Sequence, residues 1–81
     1  MDEKAILERI HEFIDEEHAL RQAHERSETS GADARERLRE LEVALDQCWD
    51  LLRQRRARID AGQNPEEARV RPASEVEGYR Q

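Results

Sequence analysis

Two apolar stripes of matching period run through the chain, and together they leave few folds open. Glu3, Ile6, Ile10, Phe13, Glu17, Leu20 and His24 are spaced alternately by three and four residues. Ala34, Leu38, Leu41, Leu45, Cys48, Leu52, Arg55 and Ile59 repeat that spacing. Set Leu20 against Leu38, and the two residue numbers in every further layer keep the same sum: Phe13 with Leu45, Ile10 with Cys48, Ile6 with Leu52, Glu3 with Arg55. Each layer joins an a position to a d position (Ile10 is a, Cys48 is d), as two rods running in opposite directions along one seam require. The pattern predicts an all-α fold, an antiparallel two-helix hairpin of coiled-coil type.

Local signals set the ends. Helix one is expected from about residue 2 to 27, with Asp2 and Glu3 at the positive end of its dipole. Ser27-Glu28-Thr29-Ser30-Gly31 breaks it, and Ser30 followed by Asp33 resembles a capping box. Helix two is expected over about 32–61, because Gly62 is a natural left-handed stop with Pro65 shortly after. The hairpin thus occupies 1–61 and a tail 62–81. In the tail, Asn64-Pro65-Glu66-Glu67 reads as a cap, a proline at the first helical position and an acidic first turn. A short third helical segment is expected near 65–69. Val70-Arg71-Pro72 reads as extended, since a residue before proline avoids the helical region, and Ser74 to Glu77 allows one more turn. Val70, Val76 and Tyr79 are the tail's sparse anchors.

Charged residues make up 42% of the chain and aromatics 4%, a balance that leans towards disorder. The apolar stripes argue otherwise, because a disordered segment has no reason to hold them in phase. A lone hairpin is poor in core, and scaffolds this small commonly oligomerise or add a staple. With one cysteine, no intrachain disulfide can form, which leaves self-association as the expected remedy. Leu7, Ile14 and Trp49 fall at e positions, and Ala44 and Leu51 at g positions. An apolar stripe wider than a and d suits a bundle rather than an isolated pair. These five residues are the expected self-association surface of a homodimer forming a four-helix bundle, the alternative being a monomer whose tail covers them.

The net charge of −6 disfavours direct binding to nucleic acid or to an anionic membrane. Met1-Asp2-Glu3-Lys4 starts acidic with no apolar run behind it, so no export signal is expected, and a lone cysteine fits a reducing cytoplasm. Arg53 to Arg58 is the one basic concentration. Cations belong at a helix C-terminus, and in the hairpin this end lies beside Asp2, Glu3 and Glu8. Arg53, Arg56 and Arg58, with Tyr79, form the alternative surface for a partner, such as an acidic groove on a larger nucleic-acid machine. No aromatics interleave with the arginines, so stacked bases find no platform there.

No catalytic, cofactor or metal site is expected. Di-iron bundles need inward carboxylates and Glu-x-x-His on facing helices. Here Asp15 and His18 give only Asp-x-x-His on an outer face, and helix two has no histidine. Glu17 on the seam reads as an edge-directed carboxylate paired with Arg21, His24 as solvated, and Cys48 as a small buried hydrophobe.

Two resemblances add to this reading. Glu16 to Arg21, Leu41 to Ala57, Ala68 to Pro72 and Val76 to Tyr79, with the specific run Leu-Asp-Gln-Cys-Trp-Asp-Leu-Leu-Arg-Gln-Arg-Arg, resemble a family of short actinobacterial proteins catalogued as a domain of unknown function. That resemblance covers nearly the whole chain. It implies a cytoplasmic actinobacterial protein and brings no catalytic residues. Leu-Arg-Glu-Leu-Glu-Val-Ala-Leu-Asp is weakly similar to the all-helical chorismate mutases, whose chemistry relies on buried cations around a dianion. Lys4 is the only lysine, and the arginines lie mostly on outer faces. The expected role is a non-catalytic interaction or regulatory module.

Overall fold

The computed structural model describes residues 1–28 and 30–77. Helix α1 spans Glu3–Glu25 and helix α2 spans Gly31–Asp60. Asp2 caps α1, its side chain accepting the Ala5 N–H at 2.8 Å. The C-terminal end of α1 closes through a left-handed residue, Ser27 at φ 59°, and the Glu28 N–H bonds the Ala23 carbonyl at 2.9 Å. Ser30 caps α2 by accepting the Asp33 N–H at 3.4 Å. Gly62, at φ 72°, ends α2 in the same left-handed way, with the Gln63 N–H on the Arg58 carbonyl at 2.7 Å. Both ends match the sequence expectation within two residues.

The helices run side by side as the heptads require. Ile6, Ile10, Leu51 and Leu52 form one buried cluster, and Leu7, Leu45, Cys48 and Ala68 pack against it. Towards the loop the seam continues through buried Leu41 and Ala34. Glu16 and Arg37, both g residues, pair across the helices at 2.5 Å, and Glu17 meets Arg21 one turn on at 3.6 Å. The closing layer of the seam differs from expectation. Glu3 pairs with Arg56 at 3.2 Å, while Arg55 is buried and turned to the tail.

The tail returns along α2. A single 3-10 turn, Pro65–Glu67, replaces the expected helix near 65–69, and Ala68 already leaves helical geometry at φ −63° and ψ 140°. An extended stretch then leads to a short helix α3, Ala73–Glu77. Both tail elements pack on α2, so α1, α2 and the tail lie edge to edge. The molecule measures 50 × 27 × 14 Å. Among the described residues, neither tail element packs against α1, so the elements form a single layer. Stable domains usually stack two layers over a core.

Candidate functional site

Two regions of the hairpin carry the features that matter, and they lie on different sides of α2. The first is the strip that holds the tail. Gln47, Asp50 and Gln54 are spaced three and four residues apart and share one side of α2. Gln54 Nε2 donates to the Arg69 carbonyl at 2.7 Å, and the Arg69 N–H returns a bond to Gln54 Oε1 at 3.4 Å. Gln47 Nε2 donates to the Arg71 carbonyl at 3.1 Å. Between them, Asp50 receives Arg71 Nε at 2.9 Å on Oδ2 and Arg71 Nη2 at 2.5 Å on Oδ1, a two-pronged pair. Gln54 Nε2 also donates to Asp50 Oδ2 at 2.9 Å. Asp50 is only 1% exposed. A buried carboxylate costs free energy unless it is paired, and here every contact favours the charged form. The Arg71 guanidinium holds its carboxyl below the usual carboxylate range; burial works against that shift, and Gln54 supports it.

Lower down, Arg55 ties the N-terminus to the start of the tail. Its Nη1 donates to the Met1 carbonyl at 2.9 Å, the Pro65 carbonyl at 3.3 Å and Glu66 Oε1 at 3.0 Å. These grips explain why the tail abandons its helix after Glu67. The backbone groups of Arg69 and Arg71 bond to glutamine side chains instead of to their own chain. Heptad position alone does not reveal this strip, since it reads as an ordinary solvated face. The available signal is a Gln-Asp-Gln run along one side of a helix otherwise rich in arginine and glutamate, with Arg71-Pro72 as an extended partner.

The second region is the e flank. Ile14 is 45% exposed and Trp49 43%, while Leu7 is half-buried at the edge of the core. Trp49 borders a shallow depression with Glu42, Leu45 and Asp46. The g flank has the opposite character. Leu51, expected at the contact between copies, is 5% exposed and belongs to the protomer's own core. Ala44 is half-buried and lines, with Phe13, Cys48, Leu51 and Val70, a groove of about 370 Å³. The five expected contact residues therefore separate. Leu7, Ile14 and Trp49 share the open side, whereas Ala44 and Leu51 lie on the side the tail leans over.

The basic end is largely committed within the chain. Arg56 meets Glu3 at 3.2 Å and Arg58 meets Glu67 at 3.4 Å, while Arg53 is exposed. Tyr79 lies outside the described residues. Burial pushes the Cys48 thiol above its ordinary value, which keeps it protonated and poorly nucleophilic near neutrality. Among the described residues, no group of three or more His, Cys, Asp or Glu side chains is placed to hold a metal ion. Among them too, no helix is long and apolar enough to cross a membrane.

This is a helical hairpin closed along one edge by its own tail. The chain belongs to the DUF2630 family, described as a protein of unknown function, whose model matches residues 2–81. It is similar to the uncharacterized protein Rv0898c of Mycobacterium tuberculosis, at 49% identity over 73 residues, covering 90% of this chain and 84% of the relative. The uncharacterized protein Mb0922c of Mycobacterium bovis matches to the same extent. No solved structure matches the chain.

Proposed function

We propose that the protein is a non-catalytic interaction or regulatory module that works as a homodimer, with the e flank of Leu7, Ile14 and Trp49 as its contact surface. The observation that carries this reading is the exposure of Trp49 and Ile14 on one side of a single-layer molecule. Large aromatic side chains are favoured anchors of protein contacts, and an uncovered layer gains by stacking on another. The reading through the arginine-rich end has less to draw on, because Arg55, Arg56 and Arg58 already pair within the protomer. The lone Cys48 thiol suits a reducing cytoplasm as the setting.

Sedimentation of the full chain tests this. The expected mass is twice the 9.6 kDa of one chain, and Trp49→Glu should return it to one chain mass with helicity retained. A single-chain mass at every concentration for the unaltered protein would sink the reading.

A further inference from the structure

The stripe on α2 that contains Trp49 carries a charge order with a particular symmetry. Its members are spaced alternately by four and three residues, like the seam, so they lie in one line along the helix. Before Trp49, in order of increasing distance, come Asp46, Glu42 and Arg39. After it come Arg53, Arg56 and Asp60. The signs on one side are the reverse of those on the other. All but the half-buried Asp46 are exposed.

From this we infer that a second copy docks with its α2 antiparallel across this stripe, the twofold axis passing through Trp49. The inference rests on the homodimer reading above and gives it a register. In that register Trp49 meets Trp49 of the second copy, Asp46 meets Arg53, Glu42 meets Arg56, and Arg39 meets Asp60, each pair occurring twice. The paired stretch is about 32 Å long at 1.5 Å per residue. Leu7, the e residue opposite Trp49 in the hairpin, is carried onto its own copy by the same axis.

Competing registers fail on charge. A slip of one heptad in one direction sets Asp46 on Asp46 and Arg39 on Arg53. A slip in the other sets Arg53 on Arg53 and Asp46 on Asp60. A parallel arrangement in register places every charge on its like. Like charges across a helix interface disfavour the wrong partner or register, which is how charged flanks specify pairing in coiled coils. Arg56 is shared in this arrangement, since it already meets Glu3 in its own chain.

The test is charge reversal in the full chain at low salt, read by sedimentation and circular dichroism. Asp46→Arg and Arg53→Asp each bring two like pairs together and should weaken the dimer about tenfold. Mixed in equal amounts, the two variants should form a heterodimer of unaltered affinity, because both cross-pairs are then opposite in sign. Arg39→Asp mixed with Asp60→Arg repeats the test at exposed positions, in case Asp46→Arg fails to fold. If the unaltered chain dimerises and loses its dimer on Trp49→Glu, yet neither mixture binds more tightly than its components, the register is wrong while the homodimer stands. If the unaltered chain never dimerises, both fall together.

Discussion

The two flanks of the hairpin start from similar material and meet different fates. Each carries apolar residues beside the seam, Ala44 and Leu51 on one, Ile14 and Trp49 on the other. The tail leans over the first, and Leu51 becomes core at 5% exposure. Among the described residues, nothing covers Trp49 to that degree, and it stays 43% exposed. The difference comes from polar groups more than apolar ones. Among the described residues, the tail sends one deeply buried side chain, Val76, into the fold and leaves Val70 exposed. It is held by Gln47, Gln54 and Arg55 gripping backbone carbonyls and by Asp50 gripping Arg71. A short, highly charged chain can thus close one side with hydrogen bonds and leave the other for a neighbour.

The widest contrast is between truncations on the two flanks. Leu51→Ala should destabilise the protomer by about 2–5 kcal/mol, the range for deleting a buried leucine side chain. Ile14→Ala should cost about 0.5 kcal/mol in chains diluted to monomer, as exposed positions do. Urea unfolding followed by circular dichroism measures both, and equal costs would erase the distinction between the flanks. Next comes Arg71→Ala, which strips Asp50 of its guanidinium. The expected loss is about 1–3 kcal/mol, held to that range because the freed carboxylate regains water as the tail lifts. Hydrogen exchange should accelerate in α3 and leave the middle of α1 unchanged; uniform acceleration would mean that the tail and hairpin open as one unit.

Acid should produce a graded form of the same effect. The Asp50 carboxyl is held below its ordinary value in the folded chain, so its contribution is complete above the unfolded value of about 3.9. That contribution is lost as pH falls through the lower folded value, because protonation then favours the undocked tail. The methyl resonances of Val76 should titrate in that acid range, and Asp50→Asn should abolish the titration. A titration that survives Asp50→Asn would assign the tail's acid sensitivity to another carboxyl.

Much of this architecture was legible in the heptads. The matching stripes gave the bend near Ser30, the antiparallel sense and the buried positions of Ile6, Ile10, Leu41 and Leu52. Those features depend on neighbours three and four residues apart, which periodicity reports directly. The path of the tail was not legible beyond its turns. Asp50 sits at an f position, where a carboxylate normally faces water, and its partner Arg71 is 21 residues away in a segment without periodicity. Arg55 departs from its heptad partner for a related reason. Its heptad position sets it opposite Glu3, but the Met1 and Pro65 carbonyls and Glu66 supply acceptors that only the folded tail assembles. The open flank was half legible: sequence marks Trp49 and Leu51 alike as apolar residues beside the seam, and only the tail's position tells them apart.

Trp49 is the only tryptophan in the chain, so its fluorescence reports the open flank alone. Emission recorded across a dilution series of the full-length protein therefore tests the account most directly. A maximum that moves to shorter wavelength as concentration rises, and back on dilution, is the expected result, since Trp49 then leaves water for the face of a second copy. A maximum that stays at the position of a water-exposed indole at every concentration would contradict it.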